Sequence, residues 1–147
     1  MSELEKIFLT SALTIFGGVL VYVIGQILVK FVIEPIHEQK KLLGEIADSL
    51  IFYSNIYTSP GLIPKKSHEA HEKFRQQATL LLSKTHMIPN YSFFSCLGMV
   101  VCQRDIEEAF SNLIGLSNSV FRSPNDSGTR NSDTAKKIKS LLKLKIK

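Results

Sequence analysis

At 147 residues the chain has room for one modest domain and an anchor, and its 44% hydrophobic content is ordinary although unevenly distributed. The formal net charge of +5 is local: six of the 18 basic residues are lysines between Lys136 and Lys147, and the rest of the chain sets 12 basic groups against 13 acidic ones. That balance excludes a broadly basic nucleic-acid-binding domain, and two cysteines without a CxxC exclude a disulfide framework or a cysteine metal knuckle.

The first predicted element is IFLTSALTIFGGVLVYVIGQILV, residues 7–29, which holds no charged residue. As a helix it reaches about 34 Å, against a bilayer hydrocarbon core of about 30 Å. A cleaved signal would show a basic leading flank and a small-x-small site. Here the flank, MSELEK, is more acidic than basic, and KFVIEP follows the run. Residues 7–33 therefore read as an uncleaved transmembrane helix behind a short flank, residues 1–6. Lys6 stands alone before the span, whereas Lys30, Lys40 and Lys41 follow it. The asymmetry orients the N-terminus outward and the remainder into the cytoplasm. Within the span Ser11, Thr14, Gly18 and Gly25 recur at i, i+3, i+7 and i+14, the seam of a left-handed helix pair, with Gln26 beside it. Small residues let backbones approach in lipid, so this face is a candidate surface for self-association or for a partner helix.

Residues 34–122 read as a small antiparallel helical bundle. Pro35 marks a kink or a helix start. From Glu38 to Thr58, Leu42, Leu43, Ile46, Leu50, Tyr53 and Tyr57 recur at helical spacing. TSPGLIPKKS (58–67) breaks that helix, and a second runs from Ser67, its expected N-cap, to His86 with Ala70, Phe74, Ala78, Leu81 and Leu82 on one face. Residues 90–102 are uncharged and too short to span; they read as an irregular connection with a helical turn. A third helix, Arg104–Phe121, turns Ile106, Ala109, Phe110, Leu113, Ile114, Val120 and Phe121 inward. SPNDSGTRNSDT, within 123–134, reads as a flexible linker. Residues 135–147 read as a basic amphipathic tail, Ile138, Leu141, Leu142 and Ile146 forming its apolar face. Cys96 and Cys102 read as buried, reduced thiols. The fold class is thus all-α: one transmembrane helix, an antiparallel bundle and a basic amphipathic segment.

Few constellations suggest chemistry. His68 and His71, three apart on a helix, could share a face toward a metal, but HExxH spacing is absent and His71 falls on the apolar side. Asp105, Glu107 and Glu108 suit the first turns of a helix, where acids meet the dipole, better than a catalytic pair. Ser117 lacks a GxSxG setting and an activating base. No catalytic residue and no cofactor is implied. The tail is the second candidate surface: Lys136, Lys137, Lys139, Lys143 and Lys145, with Leu141 and Leu142, suit an anionic membrane surface or a protein partner.

The N-terminal span together with EIADSLIFYSNIYTSPG (45–61), Ile88-Pro89 and LIGLSNSVF (113–121) resembles an uncharacterised group of small single-span bacterial membrane proteins. The resemblance implies a bacterial inner-membrane location and no activity. The function expected is that of a non-enzymatic, single-pass membrane-anchored interaction protein, its partners being the lipid bilayer, a second copy through the span, and a protein. A small membrane effector of an antiviral defence or abortive-infection system is the alternative, and a metal-dependent enzyme built on His68 and His71 is the third reading.

Overall fold

The computed structural model describes residues 2–61, 63–121 and 124–144, with the side chains of all but 124–127. It is helical throughout, and no strand occurs among the described residues. The elements are α1 (Glu3–Leu28), a π-helical turn (Val29–Ile33), α2 (Glu34–Phe52), α3 (Ser54–Thr58), α4 (Pro64–His86), α5 (Tyr91–Cys96), α6 (Gln103–Ser119) and α7 (Pro124–Leu141). They fall into two compact units, Met1–Glu34 and Pro35–Lys147.

The first unit is α1 and the π turn. Ser2 and Glu5 form a capping box: the Ser2 hydroxyl accepts from the Glu5 N–H at 3.3 Å, and the Glu5 carboxylate accepts from the Ser2 N–H at 2.8 Å. Two of the donors that every helix start leaves unpaired are thereby satisfied. The helix thus begins inside the expected flank of residues 1–6, and the S-x-x-E pattern was the signal for it. At the other end the Glu34 N–H bonds to the Val29 carbonyl, one residue further back than in an α-helix. Pro35 is the cause: it has no N–H to give, and its ring would strike the Phe31 carbonyl in a regular helix.

In the second unit α4 and α6 pack along each other, α7 packs along α6, and α3 touches both α4 and α7. Phe74, Leu81, Ile106, Leu113 and Ile138 are fully buried, as are Leu42, Ile46 and Leu50 of α2. Burying each such side chain is worth about 1.5–3 kcal/mol. Between α2, with the Tyr53 that follows it, and α4 the contacts form a ladder: Glu38 with Lys84, Gln39 with Thr85, Ser49 with Gln77 and Tyr53 with Phe74.

Several expectations are corrected here. The helix read over Glu38–Thr58 starts at Glu34 and divides at Tyr53, whose φ of −92° and ψ of 15° end α2. Tyr57 then folds back, and its hydroxyl donates to the Leu50 carbonyl at 2.9 Å, satisfying one acceptor that the end of α2 leaves open. Ser67 is not an N-cap: α4 begins at Pro64, whose fixed φ suits a first turn, and Ser67 is buried one turn inside. Phe121 is 46% exposed because α6 ends at Ser119, two residues before it. Cys96 and Cys102 are exposed free thiols, since α5 turns outward and Cys102 stands just ahead of α6.

The largest correction concerns residues 123–134. Apart from Ser123, which lies outside the described residues, they belong to α7 rather than to a flexible linker. Gly128 lies so close to the Thr58 carbonyl that a Cβ there would collide with backbone. One turn on, buried Asn131 donates to the Tyr57 carbonyl at 2.8 Å. The residues that made the segment look like a breaker are the ones that dock it on the end of α3. Of the expected tail, residues 135–141 continue this helix and 142–144 follow it, with Ala135, Ile138 and Leu142 buried in the second unit; residues 145–147, Ile146 among them, lie outside the described residues.

Candidate functional site

The span candidate is α1. Its 26 residues extend about 39 Å, and none of its side chains is buried. Phe8, Leu13, Ile15, Phe16, Val21 and Tyr22 are each more than 60% exposed. Among the described residues this is the one helix long and apolar enough, by length and composition, to cross a membrane. Two of its hydroxyls turn back to the helix backbone: Thr10 donates to the Lys6 carbonyl at 2.8 Å and Thr14 to the Thr10 carbonyl at 2.9 Å. Each is satisfied without water, as a hydrocarbon setting requires.

Regular α geometry through Leu28 keeps Ser11, Thr14, Gly18 and Gly25 within an arc of about 60°. A Cβ built at Gly18 or Gly25 meets nothing within 4 Å, so the seam is an open surface in the chain. Gln26 is exposed beside it. Of the lysines that follow the apolar run, Lys30 lies in the π turn, and Lys40 and Lys41 lie in α2.

His68 and His71 are brought together, but by an aromatic ring. Phe121 lies 4.8 Å from the His68 ring and 5.1 Å from the His71 ring. His71 Nδ1 is 2.8 Å from the Ser117 carbonyl, a contact in which the nitrogen donates. Among the described residues no three His, Cys, Asp or Glu side chains gather as metal ligands do. Ser117 is fully buried, with its hydroxyl on the Ile114 carbonyl at 2.8 Å. Glu108 pairs with Lys137 at 2.6 Å, which ties α6 to α7 and holds the Glu108 carboxyl below its ordinary pKa. Lys84 does the same for Glu38.

The lysines of the tail are divided. Lys137 serves Glu108, and Lys136 pairs with Asp133 at 3.2 Å on its own helix. Lys139 and Leu141 are partly exposed, while Leu142 is 2% exposed and turned into the core. Lys143 is exposed at φ 53°, just past the helix, and Lys145 lies outside the described residues. Of the expected apolar face, Ile138 and Leu142 are thus buried within the protein, Leu141 is partly exposed, and Ile146 lies outside the described residues.

Two buried amides are organising residues that sequence reasoning did not single out. Gln39 donates to the Thr85 hydroxyl at 2.8 Å and to the Tyr91 hydroxyl at 3.1 Å. Tyr91 in turn donates to the Val101 carbonyl at 2.7 Å, and its burial pushes its pKa up. Gln77 donates to the Glu45 carbonyl at 3.0 Å and to the Ser49 hydroxyl at 2.8 Å. Their one available signal was position: Gln39 precedes Leu42 and Ile46 on the apolar stripe of α2, and Gln77 lies between Phe74 and Leu81 on that of α4. Comparison of the chain with family models, curated proteins and solved structures finds no match.

Proposed function

We propose that the chain is a non-enzymatic, single-pass membrane-anchored interaction protein of a bacterial inner membrane. Residues 7–33 cross the bilayer, and Pro35–Lys147 works as an antiparallel helical bundle on the cytoplasmic side. The observation that carries this reading is α1 itself, a long apolar helix in which no side chain is buried. Each apolar residue left in water forgoes about 25 cal/mol per Å² of its surface, so so large an apolar surface needs a nonaqueous setting. The Lys30, Lys40 and Lys41 flank supports the orientation. The descending ladder between α2 and α4 supports the antiparallel arrangement. The seam of Ser11, Thr14, Gly18 and Gly25 supports pairing of the span with a second copy or another helix.

The chain carries its own topology probes in Cys96 and Cys102, the two thiols, both exposed. In intact spheroplasts a membrane-impermeant maleimide leaves both unlabelled, and labelling appears once the membrane is opened. Labelling in intact spheroplasts would reverse the orientation, and extraction of the chain from membranes by alkaline carbonate would remove the span.

The membrane-effector reading shares the span and its seam. Its other support is the cationic amphipathic tail, of whose apolar residues Ile138 and Leu142 are buried. Induced expression with a potential-sensitive dye separates the two: the anchored reading expects no depolarisation, and depolarisation abolished by Gly18→Leu would establish the effector.

A further inference from the structure

The connection between α4 and α6 is built as an exposed apolar knuckle. From Met87 to Gln103 the chain holds no charged residue. Tyr91 is buried, and its hydroxyl bond to the Val101 carbonyl closes the base of the loop. Asn90 at φ 48° leads into α5, and Gly98 at φ 71° turns the chain back, a conformation glycine adopts at no steric cost. Between these fixed points Phe93 is 61% exposed, Leu97 58% and Met99 43%. Phe93 and Leu97, four apart on one helical turn, present one face. An apolar tip held rigidly outward by a buried polar base is costly in water and calls for an occupant.

The surroundings indicate which. Met99 and Gly98 share a cleft of about 120 Å³ with Lys40, Leu43 and Lys143. That volume is below the ~300 Å³ at which drug-sized ligand sites begin, and it suits a group no larger than a headgroup phosphate. No carboxylate lines the cleft, and among the described residues neither lysine is in an ion pair. Apolar side chains beside cations are the profile of a surface that enters the boundary of an anionic bilayer. A symmetric dimer through the same patch would set lysines against lysines.

We propose that Phe93, Leu97 and Met99, flanked by Lys40 and Lys143, form a docking surface for an anionic lipid bilayer. The proposal rests on the anchored reading, since a tether supplies the membrane at high effective concentration. Of the tail's lysines it keeps Lys143, two residues past α7, and joins it to Lys40 of α2 across the cleft.

The test uses the full chain carrying Cys102→Ser, so that Cys96, exposed in α5, bears a single environment-sensitive fluorophore. The chain is placed in nanodiscs of phosphatidylcholine alone, or with phosphatidylglycerol, each containing brominated lipid. Quenching is expected in the anionic discs and lost in Phe93→Ser with Leu97→Ser. Lys40→Gln or Lys143→Gln should each lower the docked-to-undocked ratio about fivefold. A chain that co-purifies with the discs but shows the same weak quenching in both overturns the docking surface and leaves the anchor standing. Quenching replaced by energy transfer between labelled copies would assign the patch to a second copy and overturn the proposal. A chain that does not enter discs would overturn the anchor; vesicles of the two compositions added to the labelled protein then decide the surface alone.

Discussion

α1 and α4 are both long helices, of 26 and 23 residues, but they rest on opposite principles. α1 is apolar around its whole circumference and buries nothing; its start is secured locally, by the Ser2–Glu5 box. α4 is mostly polar and buries a single stripe through Ala70, Phe74, Ala78 and Leu81, all fully inaccessible. The comparison teaches that hydrophobic content and hydrophobic pattern answer different questions. Content says which solvent an element needs, and pattern says which face meets a neighbour.

The sharpest way to break the comparison is to remove one large side chain from each helix. Phe74→Ala empties the space against which Tyr53 and Tyr57 pack and should destabilise the second unit by about 3–5 kcal/mol in denaturant unfolding of the full chain in detergent. Phe16→Ala on α1 should leave that transition where it was. An equal shift from both would mean that α1 is part of the same core.

A smaller effect is expected at the point where a helix forms against its own sequence. Gly128→Ala sets a Cβ against the Thr58 carbonyl and should cost about 1–3 kcal/mol, seen as faster amide exchange in α7. Gly25→Ala in α1 has open space and should produce no such change. Protection of α7 that survives Gly128→Ala would show that the Asn131 bond to Tyr57 suffices to dock it.

The smallest effect is in pH. Lys84 and Lys137 hold the carboxyls of Glu38 and Glu108 below their ordinary range. Carboxyls depressed in the folded state stabilise it above the ordinary Glu pKa, about 4.3, and that contribution fades as pH falls through the lowered folded values. Both groups are exposed, so the loss should be slight. Lys137→Met should flatten the acid limb of a melting-temperature profile; a steeper limb would point to other carboxyls.

Much of the molecule was legible residue by residue. The uncharged run from Ile7 marked α1, and the stripes through Leu42, Phe74 and Ile106 marked α2, α4 and α6. The seam of Ser11, Thr14, Gly18 and Gly25 needs nothing beyond helical spacing to share a face. Other features were not legible, because their partners are far away in sequence. Tyr53 has the spacing of a continuing helix, yet the chain bends there and Tyr57 returns to Leu50. Gln39 reads as one more polar residue until Thr85 and Tyr91 stand beside it. Residues 124–134 hold the asparagines, aspartates and glycine of a linker, and their helix rests on Tyr57 and Thr58, about seventy positions earlier.

By itself the sequence determined which segments are helical candidates and which one is apolar enough to cross a membrane, because periodicity and content are properties of neighbours along the chain. The tertiary structure decided that α7 exists, that its Ala135 and Ile138 are buried in the core, and that Phe93, Leu97 and the two thiols face outward. Those outcomes depend on which backbone groups and side chains come within hydrogen-bonding and van der Waals distance, and no local pattern records that.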